Sequence, residues 1–130
     1  MARDELERSN HALVMGLFKD VLNPLDSSAV DRFISPDYIQ HSRLAEAPGR
    51  DGLKAFLDFA RKATPHAVHD VKRSFADGDH VIVHYHVRRW PADPGLAVVD
   101  IFRIADNLIA EHWDVVHEIG QGELGPAAIF

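Results

Sequence analysis

The sequence predicts an α+β fold, in which a curved antiparallel sheet wraps around three N-terminal helices and leaves a pocket between the two layers. Two observations predict this fold. In the first half of the chain apolar residues recur at helical spacing, and after Pro65 the apolar period changes to two. Short segments rich in Asp, Gly, Asn and Pro then separate four strand candidates. At 130 residues the chain is expected to form a single domain, residues 1–130.

Apolar spacing predicts three helices, over residues 4–22, about 27–34 and 51–63. Asn23-Pro24 should end the first helix, since the residue before a proline disfavours helical backbone. Asp26 or Ser27 is expected to cap the second helix. Residues 37–42 are expected to be a short extended piece or turn, and residues 43–50 a loop.

Strands are predicted over residues 67–75, 81–90, 99–105 and 108–116. The last two form a hairpin around Asp106-Asn107. Asn107 lies where a type I turn followed by a left-handed residue favours Gly or Asn. Such a three-residue loop would place Ile104 opposite Leu108. The tail, residues 118–130, is expected to be irregular and folded back along the sheet or a partner chain.

Counting outward from that loop pairs Asp100 with His112 and places Asp114 one diagonal step away. A two-residue turn would shift the register by one and move Asp100 to the other face. In the expected register the inner face carries Asp100, Phe102, Ile104, Leu108, Ala110, His112 and Asp114. The outer face carries Ile101, Arg103, Ile109, Glu111, Trp113 and Val115.

Three ionisable residues, Asp100, His112 and Asp114, thus interrupt an apolar face. Buried charge is costly unless it is partnered, and titratable clusters on a cavity wall are where shifted pKa values concentrate. We therefore predict that these residues are catalytic, with Asp114 as the base and His112 or Asp100 as the proton donor. The alternative is a satisfied His–Asp pair that only fixes the hairpin. Arg103 and Glu111 are expected to form an outward charge pair.

Composition narrows the class of protein. The net charge is −6 and no Lys/Arg cluster is present, which argues against nucleic acid or an anionic membrane as partner. There is no cysteine, which excludes thiolate metal sites and fits a cytoplasmic location. The charged start, MARDELERSN, does not resemble a signal peptide, and no apolar run is long enough to span a membrane.

His84 and His86 share one face of a predicted strand, a pattern that can bind a metal when a third ligand such as Asp100 or His41 converges. Spacing of this kind is a weak signal on its own. In the commoner arrangement His84 and His86 face outward and Tyr85 faces inward. We therefore predict no metal and no cofactor.

Three segments, DYIQH, GRDGLKAF and DIFRIADNLIAEHWDVV, resemble the SnoaL-like branch of the nuclear transport factor 2-like superfamily. The usual ending of that branch, D-x-F-R-V-x-x-G-K-I-x-E-H-W-D, fits here without a gap, with Asn107-Leu108 in place of Gly-Lys. The resemblance implies a cone-shaped barrel with a deep cavity and a homodimer formed through the outer sheet face. It also implies polyketide cyclase chemistry, an intramolecular aldol condensation without metal or cofactor, with Asp114 as acid/base.

Substrate contacts are predicted for His41, Tyr38 and Phe102. The resemblance places His41 at the cavity rim or wall, although a surface histidine beside a loop is equally compatible with the sequence. Tyr38 is either a hydrogen-bond donor or a core residue, and Phe102 belongs to the apolar floor.

The first functional hypothesis is a cofactor-independent lyase or isomerase, which acts on a small carbonyl compound by aldol cyclisation, isomerisation or dehydration. The second is a non-catalytic ligand-binding or accessory protein on the same fold. Epoxide hydrolysis, which would need an Asp-Arg-Asp arrangement in the cavity, ranks third because Arg103 is expected to face outward.

Overall fold

The computed structural model describes residues 2–42, 47–120 and 125–130, and it has the predicted α+β architecture. Helix α1 spans Arg3–Leu17 and runs into a π-helical turn, Phe18–Leu22. A 3₁₀ turn, Ser27–Arg32, follows, and α2 spans Gly49–Ala63. The strands are β1 (Ile34–His41), β2 (Val68–Asp77), β3 (His80–Arg88), β4 (Leu96–Ala105) and β5 (Leu108–Glu118), and a short helix α3 (Pro126–Ile129) closes the chain.

The three helical segments agree with the predicted positions, but the second is shorter and tighter than expected. It ends at Arg32, because the chain enters β1 at Ile34. Asp26 caps it as predicted, since its carboxylate accepts a hydrogen bond from the backbone N–H of Ser28 at 3.0 Å.

The five strands form one sheet in the order β1-β5-β4-β3-β2. β2 to β5 form the predicted antiparallel meander, whereas β1 pairs parallel with β5 at the edge. The sequence predicted only a short extended piece or turn over residues 37–42, whereas β1 begins at Ile34 and includes Pro36. An edge position tolerates the proline, which lacks a backbone donor, and the β1–β5 register is irregular between Ile34 and Ile39.

The hairpin between β4 and β5 has a two-residue turn, so the predicted three-residue loop is wrong. Asp106 and Asn107 both have positive φ, 52° and 61°, which is typical of a type I′ turn. Ala105 consequently pairs with Leu108. By itself this turn would place Asp100 on the face opposite to His112 and Asp114, as the register argument requires.

A β-bulge in β5 compensates for the turn. The register steps by one after the first two pairs of the hairpin, and Ala110 is the extra residue. Beyond the bulge Asp100 pairs with Asp114 rather than with His112, and all three remain on the inner face. On β5, the residues between the turn and the bulge lie on the faces opposite to those predicted. Ile109 is therefore fully buried, although it was expected to face outward.

The core lies between the concave face of the sheet and the helices. Phe18 meets the rings of Tyr85 and Phe102 edge-on, with centroids 4.9 and 6.4 Å away. The largest side chains with almost no solvent exposure are Val14, Val21, Val30, Ile34, Leu57, Val81, Val83 and Ile109. Burial of such side chains stabilises the fold by about 25 cal/mol per Å² of apolar surface.

The convex face of the sheet is also partly apolar. Its outer apolar patch consists of Ile39, Val99, Ile101, Trp113 and Val115, of which Val115 is 69% exposed. Residues 125–130 fold back on the neighbouring part of this face, one of the two positions expected for the tail, but they contain helix α3 where an irregular segment was expected. Residues 121–124 of the tail lie outside the described residues. The Phe130 ring lies 5.0 Å from His84 and 4.9 Å from His86. No helix in the described part of the chain is long and apolar enough to cross a membrane.

Candidate functional site

A pocket of about 110 Å³ lies between the concave face of the sheet and the helices. Its wall is mostly apolar, and the polar side chains among its described lining residues come from the strands and from Ser42, which directly follows β1. The lining residues are Leu17, Leu22, Ile34, Tyr38, Gln40, Ser42, Leu53, Phe56, His69, Tyr85, Val87, Leu96, Val98, Asp100, Phe102, His112 and Asp114. No Lys or Arg side chain is among the described residues that line it.

The three predicted catalytic residues meet on one wall of this pocket. His112 Nε2 lies 2.9 Å from Asp100 Oδ1, and both residues are buried. Because a carboxylate only accepts, Nε2–H is the donor in this hydrogen bond. Phe102, which pairs with His112 across the strands, stacks on the imidazole with ring centroids 4.9 Å apart. Asp114 is half-buried, and its Oδ2 accepts a hydrogen bond from the Ser42 hydroxyl at 2.5 Å.

The surroundings shift the pKa values of two members of the cluster. Burial raises the pKa of Asp114, and the Asp100 charge adds to this, while the Ser42 hydrogen bond and His112 partly offset it. Burial lowers the pKa of His112, but the charge and hydrogen bond of Asp100, with the charge of Asp114, outweigh burial and raise it. The cluster therefore favours a protonated His112 and a carboxylate at Asp114 that takes up a proton readily.

One ligand atom from each of Asp100, His112 and Asp114 can be chosen so that all three lie within 4.8 Å of one another. Two carboxylates and an imidazole are ligands that a divalent cation accepts. A cation that used Nε2 of His112 would displace its hydrogen bond to Asp100. The predicted direct acid–base use of the cluster retains that bond.

The chain matches the family model described as a SnoaL-like domain over residues 16–112. The chain belongs to the SnoaL-like family. The matched segment covers most of the chain, including Asp100 and His112, and ends two residues before Asp114. This agrees with the resemblance seen in the hairpin sequence and with the nuclear transport factor 2-like cone of helices and curved sheet. Among curated proteins, none matches the chain.

Solved structures share the SnoaL-like fold. A candidate SnoaL-like polyketide cyclase from Jannaschia sp. CCS1 superposes with a TM-score of 0.72 at 21% identity, over 89% of this chain and 90% of that one. A candidate polyketide cyclase from Acidithiobacillus ferrooxidans gives a TM-score of 0.69 at 20% identity, over 83% and 87%. TsrD from Streptomyces laurentii gives a TM-score of 0.69 at 23% identity, over 85% of this chain and 90% of that one. Identities this low establish the fold alone.

Of the predicted substrate contacts, Tyr38 and Phe102 line the SnoaL-like pocket, whereas His41 does not. The Tyr38 hydroxyl donates to Gln40 Oε1 at 3.2 Å, and burial raises its pKa, so it remains a protonated donor. His41 lies on the outer face, because alternation along β1 sends it opposite to Gln40. Its ring stacks on Trp113 with centroids 5.3 Å apart. Of the two alternatives for His41, the cavity rim or wall and a surface position, the 45% exposed side chain fits the surface position.

Two outer-face predictions are confirmed, the Arg103–Glu111 charge pair and the outward orientation of His84 and His86. Arg103 Nε donates to Glu111 Oε1 at 3.0 Å, and the two are directly opposed rather than offset, owing to the bulge. His84 and His86 face outward and Tyr85 is buried inside. His86 Nε2 lies 2.7 Å from the Pro94 carbonyl oxygen and so donates to it. Within the described residues, no third ligand converges on this histidine pair.

Sequence reasoning missed several pocket residues, of which His69 is the most informative. Near the start of a predicted strand, where a solvated polar residue is ordinary, it received no predicted role, but its side chain lines the pocket. The signal was present, since His69 is two residues from Val71, and both therefore share one strand face. Gln40 and Ser42 were missed because the parallel pairing of β1 with β5 depends on contacts distant in sequence.

Proposed function

We propose that this SnoaL-like protein is an enzyme that transfers protons on a small carbonyl compound without a cofactor. Asp114 takes a proton from the carbon next to the carbonyl group, and the carbonyl oxygen becomes an enolate oxygen. The Nε2–H of protonated His112 stays on Asp100, and its Nδ1–H, which has no partner among the described residues, stabilises that oxygen or gives it a proton. The resulting enol or enolate then takes up a proton at a different carbon (isomerisation), attacks a second carbonyl carbon whose oxygen takes up the proton (aldol cyclisation), or expels a β-hydroxyl group that leaves as water with that proton (dehydration).

The observation that carries this proposal is the position of Asp114. It is a half-buried carboxylate with a raised pKa, on the wall of an otherwise apolar pocket and next to the His112–Asp100 pair. A desolvated carboxylate is a stronger base than one in water, and acid and base groups with separated pKa values can divide the roles of a proton-transfer reaction.

The pocket volume favours a small substrate. A cavity of about 150 Å³ holds a benzene-sized molecule, and this pocket measures about 110 Å³. A multi-ring polyketide would therefore need a wider pocket, so we favour a substrate of one ring or a short chain. Epoxide hydrolysis is disfavoured because Arg103 lies on the outer face with Glu111.

The test is hydrogen–deuterium exchange, followed by NMR, at the carbon next to the carbonyl of short ketones in heavy water. Asp114→Asn is expected to slow enzyme-dependent exchange about a hundredfold or more, the range for a lost general base. Glu111→Gln is the matched control, because it removes one negative charge from the outer face of the same strand. Equal exchange in wild type and Asp114→Asn would contradict the proposal.

A non-catalytic ligand-binding protein is the second candidate. The burial of Asp100 and His112 and their mutual hydrogen bond favour it, since such a pair can serve only to fix the hairpin. Ketone binding without any exchange above the buffer rate would support this candidate over the enzyme.

We also propose a homodimer formed through the outer apolar patch, in a protein that acts in the cytoplasm and binds neither nucleic acid nor membrane. The apolar, exposed character of the patch supports the dimer. The acidic net charge argues against polyanionic partners.

A further inference from the structure

His69 lies in the pocket at a distance from the acid–base cluster. Its strand, β2, is at the sheet edge, two strands from β4, and it pairs with Val87. Along β3, Val87 is two inward positions away from Val83, which pairs with Asp100. Val98 and the ring of Tyr85, which pair across β3 and β4, line the wall between the two places, and the Tyr85 hydroxyl interacts with Asp100 at the cluster end. The pocket therefore has two polar ends separated by an apolar stretch.

The backbone of His69 is held in place. Its N–H donates to Asn23 Oδ1 at 3.1 Å, which ties the edge strand to the end of the first helical unit. The ring lies beside Tyr85, with centroids 6.0 Å apart. An edge strand anchored in this way presents a side chain in a fixed position, as a binding residue requires.

The imidazole of His69 has an unused hydrogen-bonding group. Nδ1 is sealed from solvent and has no hydrogen-bond partner among the described residues. Buried polar groups are nearly always paired, so an unpaired one calls for an explanation. Burial lowers the pKa of His69 to about 4, and the Asp100 charge offsets this only in part, so the ring is neutral near pH 7.

A neutral imidazole carries one N–H and one acceptor nitrogen. A hydrogen on Nδ1 would be buried without an acceptor, and orphaned N–H groups are rarer than unsatisfied acceptors. The hydrogen therefore belongs on Nε2, which is the ring nitrogen left to meet a ligand. His69 is thus equipped to donate one hydrogen bond to an oxygen atom in the pocket.

We propose that His69 anchors a second oxygen of the substrate, so that the pocket selects small compounds with two uncharged oxygen functions separated by a short apolar stretch. This inference rests on the proposed function, which places the reacting carbonyl at Asp114. The second oxygen is uncharged, because the pocket offers Asp100 and Asp114 but no Lys or Arg among its described lining residues. A carboxylate would be repelled there.

The experiment compares linear diketones of six and seven carbons with the matching monoketones, by NMR titration of histidine-labelled protein. Wild type should bind at least one diketone about two- to tenfold more tightly than its monoketone, the gain expected for one neutral hydrogen bond. That diketone should also shift the Nε2–H signal of His69, whereas the monoketone should not.

Three variants complete the experiment. His69→Phe should abolish the diketone preference and retain monoketone binding, whereas His69→Gln, which keeps a donor at a similar reach, should retain most of the preference. His66→Phe, at an exposed position on the turn before β2, is the control and should change nothing.

Equal affinity for diketones and monoketones, or a preference that survives His69→Phe, would overturn the inference. If hydrogen–deuterium exchange depends on Asp114 but diketones bind no more tightly than monoketones, only the role of His69 is overturned. A diketone preference without any exchange would instead support His69 as an anchor and contradict the proposed catalysis.

Discussion

At the residue scale, the site depends on one imidazole between two carboxylates. His112 is buried, which disfavours its charged form, yet Asp100 at 2.9 Å reverses the balance and raises its pKa above the ordinary 6.5. At Asp114 burial raises the pKa, and Ser42 and His112 offset it only in part. A proton is therefore stabilised on both groups by different causes, on His112 by the charge of Asp100 and on Asp114 by burial.

The His112–Asp100 pair predicts a pH dependence of stability. A folded-state pKa above 6.5 means that the folded protein binds more protons than the unfolded chain above that pH. The contribution of His112 is therefore full below pH 6.5 and is lost as pH rises through the folded-state pKa. NMR titration of the ring and urea unfolding across this window should show both effects.

Asp100→Asn provides the comparison for this titration. Without the carboxylate, burial weighs more heavily, so the pKa of His112 should fall relative to wild type and the loss of stability above pH 6.5 should shrink. A wild-type His112 that titrates below 6.5 would contradict the assigned balance of burial and charge.

At the scale of elements, the hairpin positions the site through two compensating features. The type I′ turn at Asp106-Asn107 shifts the register by one residue, and the bulge at Ala110 shifts it by one more. Because side chains alternate with a period of two, the two shifts together return Asp100, His112 and Asp114 to one face. Either feature alone would place Asp100 of β4 and Asp114 of β5 on opposite faces of the sheet.

Asp106→Gly tests the turn. In the type I′ turn Asp106 has φ of 52°, so Gly should stabilise the protein by a few tenths to about 1 kcal/mol. In a three-residue loop that position has negative φ, and Gly would instead cost about 0.5–1 kcal/mol. Thermal and urea unfolding show whether Asp106→Gly raises or lowers the stability. Asn107→Gly serves as the control. Residue 107 has a left-handed backbone in both loops, so this substitution should stabilise the protein in either case.

At the scale of the whole molecule, the curved sheet separates the pocket from the outer apolar patch. Its concave face and the helices enclose the pocket, while its convex face carries the outer apolar patch beside the C-terminal segment. Lys72 and Arg73 hold that segment, since Arg73 donates to the Phe130 carbonyl oxygen at 2.8 Å and Lys72 lies over the Phe130 ring. The segment covers β2 and β3 and leaves the patch on β4, β5 and β1 open to a second copy.

Val115→Arg tests the proposed dimer. Val115 is 69% exposed in the patch, so a charge there should convert a dimer into a monomer by light scattering at micromolar concentration. Phe59→Arg is the matched control, because Phe59 is 68% exposed on α2, away from the sheet. A wild-type protein with the monomer mass across that range would contradict the dimer.

The sequence by itself determined the helices, the four-stranded meander and the family, because these follow from local apolar periodicity and from a hairpin motif contiguous in the chain. It also identified Asp100, His112 and Asp114 as sharing a face, although through a turn type that proved wrong. The correct faces emerged because the expected and observed registers differ by two residues, an even number that leaves alternation unchanged.

Only the tertiary structure decided the rest. The parallel pairing of β1 with β5 brings Tyr38, Gln40 and Ser42 to the pocket and turns His41 away, and such pairing joins residues about seventy positions apart. The burial of His69 likewise depends on helices that cover its strand. Local patterns record which residues can share a face, but burial and the partners of a charge come from elements distant in sequence, and these set the pKa values on which the chemistry depends.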